Sequence, residues 1–117
     1  TLQSERAIKL VESLGQRNYL SMLKWADLLI GNSSSIVVET PFTGTPGILL
    51  GDRQLGRPIA GNIVSLSGSD AEFPEKIRAA IQKQLSANRF AKNDLYGDGN
   101  SSGKIMKGIA AFLGVQP

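Results

Sequence analysis

Short aliphatic runs alternate along this chain with longer stretches in which apolar positions return at helical spacing. AIKLV (residues 7–11), ADLLI (26–30) and PGILL (46–50) are of the first kind, and the last two are followed at once by Gly31 and Gly51. Their character predicts buried parallel strands. NIVSL (62–66) reads as a fourth strand or an extended connection. Between the first two runs, Tyr19, Leu20, Leu23 and Ala26 share one face of a predicted helix. On this reading Trp25 and Tyr19 belong to the core rather than to a stacking platform. Further on, Ser69 and Glu72 have capping-box spacing, and Ile77, Ile81 and Leu85 recur every fourth residue in the clearest helix of the chain. A polar turn, KNDLYGDGNSS (92–102), leads to a last helix with Ile105, Ile109 and Leu113 on one stripe and Gly114 as its stop.

Strands alternating with helices imply crossover units: an α/β fold with a Rossmann-like parallel sheet and flanking helices on both faces. Ligands of such sheets sit beyond the carboxyl ends of the strands. GNSSS (31–35) lies at one such end and GDRQLGR (51–57) at the next, so two polar loops share one edge of the sheet.

A helix beginning near Ser35 would leave the amides of Ser34, Ser35 and Ile36 without intrahelical partners, at the positive end of the helix dipole. Phosphate suits such an end, and serine hydroxyls add donors. Glu39 is four residues beyond Ser35 and leans back toward the loop. A carboxylate repels a phosphate at contact, so its natural partner there is a hydroxyl pair such as a ribose supplies. Arg53 and Arg57 offer planar forks for phosphate oxygens. Plainer readings stand beside these: GNSSS as a turn and N-cap, Glu39 as a solvated helix residue, Arg53 paired with Asp52 or Asp27 at the surface, and Lys104 and Lys107 as the wet face of the last helix.

Composition narrows the chemistry. At 117 residues and 41% hydrophobic, the chain suits one domain spanning residues 1–117. It has no cysteine and no histidine, which removes disulfides, thiolate metal sites and the commonest general base. Neither a metal site nor a cofactor is expected. The net charge of +3 comes from 13 basic and 10 acidic residues scattered along the chain, with no basic stripe of the kind nucleic acid requires. No run approaches the roughly 18 apolar residues of a membrane span. A cytoplasmic setting is the expectation, and Thr1 suggests a piece of a longer chain.

Five motifs occur in order: GNSSS, E-T-P at 39–41, F-x-G-x-P at 42–46, GDRQLGR, and YGDGNSS at 96–102. Together they resemble the C-terminal domain of UDP-N-acetylglucosamine 2-epimerases, especially the hydrolysing type that yields N-acetylmannosamine and UDP. The resemblance implies most of the C-terminal half of a GT-B fold, in which two Rossmann-like domains face each other across a nucleotide-sugar cleft. It implies that Ser33 and Ser34, with neighbouring amides, contact the diphosphate, that Ser35 belongs to the same UDP-binding set, that Glu39 binds the ribose hydroxyls, and that Arg53 lies by the phosphates. It further implies loss of the sugar C2 proton and elimination of UDP to a 2-acetamidoglucal that adds water. The acids and bases that the resemblance implies lie mainly in a preceding N-terminal domain, with a histidine near the domain junction, so no catalytic residue is assigned here and the isolated fragment is expected to be inactive. The implied partners are UDP-GlcNAc or UDP and that domain; a homo-oligomer of the full-length protein is left open. Two alternatives remain: a GT-B glycosyltransferase, and a non-catalytic UDP-sugar sensor with a degenerate site. The second arises because Ile36 stands where such sequences usually carry glycine. Its branched side chain is expected close to where the phosphate should approach, where it could narrow the site or reorient the helix.

Overall fold

The computed structural model describes residues 7–68 and 71–116. In chain order it contains α1 (Gly15–Trp25), β1 (Leu29–Gly31), α2 (Ser34–Val38), α3 (Thr40–Thr43), β2 (Gly47–Leu50), β3 (Ile63–Leu66), α4 (Phe73–Ser86) and α5 (Ser101–Leu113). The strands form one parallel sheet in the order β1-β2-β3, with Leu29 beside Gly47 and Gly47 beside Ile63. This is the expected α/β arrangement, and NIVSL is its third strand.

Central strand β2 is buried on both faces, since Ile48 and Leu49 point to opposite sides and both are buried. On the Leu49 side, Ile36 and Val37 of α2 pack with Leu49, Ile63 and Leu29. Two strand glycines make room for them. A Cβ on Gly47 would lie 3.1 Å from Ile36 Cγ2, and one on Gly31 would lie 3.7 Å from Ile36 Cδ1. Ile36 therefore fills a hollow that the bare backbone of both strands leaves.

Helix α1 turns Leu23 into the core, with Tyr19 and Leu20 half-buried beside it. Trp25 corrects the expectation made for it, being 87% exposed. Two residues past Leu23 is a rotation of about 200°, which carries the indole to the outer side. The end of α1 is tied down instead by polar groups. Thr45 Oγ1 donates to Leu23 O at 2.6 Å, and the Arg89 guanidinium donates to the carbonyls of Leu23, Lys24 and Ala26. A cation forked over the last carbonyls complements both their lone pairs and the helix dipole.

Helix α4 lies against β2 and β3. Its inward face is Ile77, Ala80, Ile81 and Gln84, while Leu85 is exposed. The expected Ile77-Ile81-Leu85 stripe is thus rotated toward Gln84, whose Nε2 donates to Gly47 O at 2.8 Å and Asn62 O at 2.9 Å. Small Ala80 lets the helix approach closely enough for that long amide to reach two strand ends. The capping box assigned to Ser69 lies outside the described residues; the helix opens with Glu72 at its N-cap and a proline in its first turn.

Two further expectations change. Residues 8–11 form no strand, and Leu10 and Val11 are exposed. Strand propensity expresses itself only against a neighbour, and no described strand pairs with this segment. The α5 stripe forms as spaced, and Gly114 ends the helix with φ 68°. Yet Ile105, Ile109 and Leu113 are exposed, and Ala110 is the buried residue. The molecule measures 60 × 30 × 26 Å with a radius of gyration of 18.1 Å, against about 13 Å for a compact chain of this length. The stripe has no cover among the described residues.

Candidate functional site

The GNSSS loop leaves β1 at its carboxyl end and turns directly into α2. Ser33 is the N-cap, and its Oγ accepts from Ser35 N at 3.2 Å. Ile36 N bonds Ser33 O at 3.2 Å. Of the three amides expected to remain open, those of Ser35 and Ile36 are therefore occupied, and Ser34 N, the first N–H of the helix, has no partner among the described residues. Ser33 and Ser34 are exposed, and Ser35 is half-buried.

Proline then shapes the position of Glu39. Helix α2 stops at Val38, Glu39 is its C-cap, and α3 restarts at Thr40 with Pro41 in its first turn. A proline cannot donate to the turn before it, so the two short helices meet at a break. Glu39 stands at that break, half-buried, and reaches back one turn: Ser35 Oγ donates to its Oε2 at 2.5 Å. The backward lean expected from the four-residue spacing is present. Tyr19 OH is hydrogen-bonded to the same serine hydroxyl.

Glu39 borders two cavities. One of about 500 Å³ is lined by Val11, Glu12, Gln16, Tyr19 and Glu39. The other, of about 250 Å³, is lined by Leu20, Glu39, Phe42, Asn93 and Tyr96. Segment 7–11, expected as a strand, thus contributes to a cavity wall through Val11. The second cavity gathers another motif. The chain after α4 runs back along α3, with Phe90 N bonded to Gly44 O and Asn93 N to Pro41 O. Lys92 Nζ sits 3.7 Å from the Phe42 ring centroid. Tyr96 OH then donates to Pro58 O at 2.7 Å, which links YGDGNSS to the segment just after GDRQLGR.

GDRQLGR itself follows β2 at the same sheet edge. Buried Gln54 donates from Nε2 to Asn32 O at 3.2 Å, tying this loop to GNSSS. Arg53, its neighbour, is exposed and has no ion pair among the described residues. Asp27 enters β1 at the opposite end of the sheet, so the surface pair between Arg53 and Asp27 does not form. Lys104 is exposed but pairs with Asp98 at 2.9 Å. That ammonium, with the backbone N–H of Asn100, holds the Asp98 carboxyl down at about 2. Among the described residues no three acidic side chains converge where a metal ion would be held.

Ile36 is where the structure departs most from the sequence reading. Its side chain is 1% exposed and faces the sheet, not the loop. One residue along a helix is a turn of about 100°, so Ser35 faces Tyr19 and Glu39 while Ile36 faces β1 and β2. Its place is in the core between α2 and the sheet.

Tyr19 and Gln54 were not singled out for the site by sequence reasoning. For Tyr19 a signal existed. A helix preceding a parallel strand runs antiparallel to it, which brings the first turns of α1 to the carboxyl edge. For Gln54 the signal was its place in GDRQLGR, although the buried amide tie itself has no periodicity.

Fold and edge together define a class: a Rossmann-like α/β chain whose polar loops collect beyond the carboxyl ends of its strands, where such sheets hold ligands. The model of one family, UDP-N-acetylglucosamine 2-epimerase, matches residues 1–110, and the chain belongs to that family. It is 44% identical over 77 residues to a GDP/UDP-N,N'-diacetylbacillosamine 2-epimerase (hydrolyzing) of Campylobacter jejuni, a match covering 65% of this chain and 20% of that protein. It is 34% identical over 110 residues to a UDP-N-acetylglucosamine 2-epimerase of Methanococcus maripaludis, covering 92% of this chain and 28% of the relative. A UDP-N-acetylglucosamine 2-epimerase of Neisseria meningitidis is 34% identical over 83 residues, covering 71% and 21%. The chain therefore spans about a fifth to somewhat over a quarter of the length of these curated relatives. Among the described residues no helix is long and apolar enough to cross a membrane.

Proposed function

We propose that this chain is the nucleotide-binding part of a hydrolysing UDP-N-acetylglucosamine 2-epimerase, a C-terminal GT-B domain that completes its active site with a preceding domain of the same protein. The observation that carries this reading is the Ser35–Glu39 hydrogen bond, which holds a carboxylate beside a serine loop at the carboxyl edge of β1. An acceptor-only group set next to free hydroxyls and an N–H suits a ligand with a phosphate at one point and a hydroxyl pair at the next. A nucleoside diphosphate has both. Ser33 and Ser34 then face the diphosphate, Arg53 adds a cation from the neighbouring loop, and Glu39 accepts from the ribose hydroxyls.

In the reaction the C2 proton leaves to a base of the preceding domain. The C1–O bond breaks, and its electron pair departs on the β-phosphate oxygen of UDP. Water then adds to the resulting glycal to give the free amino sugar. The role of this chain is to hold the leaving group: donors and a cation aimed at the diphosphate stabilise the charge that develops as the bond breaks. The hydrolysing outcome is supported by GDRQLGR and by similarity to a relative named as hydrolyzing. The uncovered α5 stripe offers an apolar surface for the preceding domain. A cytoplasmic setting fits an enzyme using nucleotide sugars. The degenerate-site alternative loses its motive, since Ile36 lies in the core.

Calorimetric titration of the full-length protein with UDP tests the assignment. Wild type binds, and Glu39→Ala and Arg53→Ala each weaken binding about tenfold or more, the scale of a lost charge-assisted hydrogen bond. If both variants bind UDP as wild type does, the site lies elsewhere. Release of UDP and N-acetylmannosamine from UDP-GlcNAc in water alone separates the epimerase from a transferase, which needs an acceptor.

A further inference from the structure

We infer that Ser35 is a positioning residue that makes this site select ribonucleotides over deoxyribonucleotides, and that it does so through Glu39, with Tyr19 OH as the anchor behind it. The inference rests on the reading of Glu39 as the ribose-binding group and goes beyond it. A serine hydroxyl carries one proton, and here that proton points at Glu39 Oε2 over 2.5 Å. Tyr19 OH, on the same serine oxygen, is then the donor in that contact, because Ser35 has already given its one proton to Glu39. The polarity runs Tyr19 to Ser35 to Glu39.

Two consequences follow for the carboxylate. Its Oε2 is held by Ser35 of α2, whose hydroxyl is held in turn by Tyr19 of α1, at the border of two cavities. Its Oε2 is engaged, and its remaining lone pairs accept only. An acceptor-only carboxylate held still binds a group that presents O–H donors side by side; where a deoxyribose offers one hydroxyl fewer, a lone pair is left unmatched. Ser33 has a different task, since its Oγ accepts from Ser35 N and caps α2. The three consecutive serines are thus not equivalent: Ser33 shapes the helix end, Ser34 faces outward, and Ser35 is turned inward to aim Glu39.

The test compares UDP with 2′-deoxy-UDP by calorimetry on the full-length protein. Wild type is expected to prefer UDP about tenfold, one well-placed hydrogen bond's worth. In Ser35→Ala the UDP affinity falls by about that factor while 2′-deoxy-UDP is little changed, so the preference collapses toward unity. Ser35→Thr, which keeps the hydroxyl, restores it, and Tyr19→Phe reduces it only part of the way. A purely structural role for Ser35 would weaken both nucleotides together, and that result would overturn the inference. If Glu39→Ala abolishes the preference and Ser35→Ala preserves it, the positioning role fails while the ribose reading stands. If Glu39→Ala leaves the preference intact, the ribose reading itself fails, and the inference with it.

Discussion

Replacing Ile36 separates two accounts of GNSSSIVVETP, because one has the side chain obstructing a ligand and the other has it holding α2 on the sheet. The structure supports the second: Ile36 is 1% exposed, and its Cγ2 and Cδ1 fill the space above Gly47 and Gly31. Neither glycine has a side chain that can move into the hole. Poor collapse places Ile36→Ala in the upper part of the range for buried Ile to Ala, about 3–5 kcal/mol. Ile36→Gly adds about 1 kcal/mol of helix propensity inside α2. Against a typical domain stability of about 5–15 kcal/mol, either change removes a large fraction. Ile36→Val, which keeps the branch, costs about 0.5–1.5 kcal/mol. Urea unfolding of the full-length protein, followed by circular dichroism, reads the midpoints, and calorimetry reads UDP affinity in the same samples below the transition. The expected order of midpoints is wild type, Val, Ala, Gly, with no variant binding UDP more tightly than wild type. If Ile36→Gly tightens UDP binding while leaving the midpoint in place, the packing argument is refuted and the obstructing account is restored.

Two further expectations concern the frame of the site. Gly44 and Gly114 both end helices with φ near 70°, yet a Cβ on Gly44 would lie 2.1 Å from Phe90 O, whereas one on Gly114 meets nothing within 4 Å. Gly114→Ala therefore costs about 1 kcal/mol of left-handed strain, and Gly44→Ala adds to that a displaced Phe90 segment and its hydrogen bond, for about 2–4 kcal/mol in all; equal unfolding midpoints for the two variants would contradict this. Asp98, lowered from 3.8 to about 2 by Lys104 and the Asn100 amide, favours the folded state above pH about 4 and loses that contribution as the pH falls toward 2. NMR titration of its carboxyl should show the low value in wild type and a rise toward 3.8 in Lys104→Met, and an unmoved titration would show that the Lys104 contact is not its cause.

Much of the fold was legible because it rests on period and punctuation. The aliphatic runs before Gly31 and Gly51 became strands β1 and β2, and the helical spacings around Leu23 and Ile77 became α1 and α4. What escaped was of two kinds. AIKLV has strand character, but pairing is decided by a neighbour distant in sequence, and propensity carries no information about that. Gln84 displaced Leu85 from the inner face of α4 because its amide meets two strand carbonyls, an attraction invisible to a hydrophobic pattern. At the candidate site, the Glu39 approach to Ser35 was readable from a four-residue spacing, whereas Ile36 was misread by treating adjacent residues as if they faced one way. The corrective signal was in the sequence: glycines at 31 and 47, both in predicted strands or at their ends, leave a hollow that a branched neighbour can fill.

The site is set by polar ties more than by its apolar core. Buried Asn62, immediately before β3, donates to Thr40 Oγ1 at 2.9 Å and Thr45 O at 2.7 Å. Thr40 Oγ1 in turn donates to Ile36 O at 2.5 Å, and Thr45 Oγ1 to Leu23 O. One connected path of hydrogen bonds therefore runs from β3 through the α2–α3 break to the end of α1. Each link is directional where dispersion contacts are not. Ile36 and Val37 fix how closely α2 approaches the sheet, but such packing tolerates small rotations of the helix about its own axis. The ties at Thr40 and Thr45 resist that rotation, and Glu39 is the residue immediately before Thr40. Because α1 is held by the same path, Tyr19 and Glu39 are aligned with one another from behind before any ligand arrives. Rate and affinity at such a site depend on groups held within a few tenths of an ångström. That explains why the break at Pro41, which weakens α2 as a helix, coincides with buried hydrogen bonds at Thr40 and Thr45: the carboxylate is set by the ties on either side of the break, and the helix needs only enough length to bring Ser35 within reach.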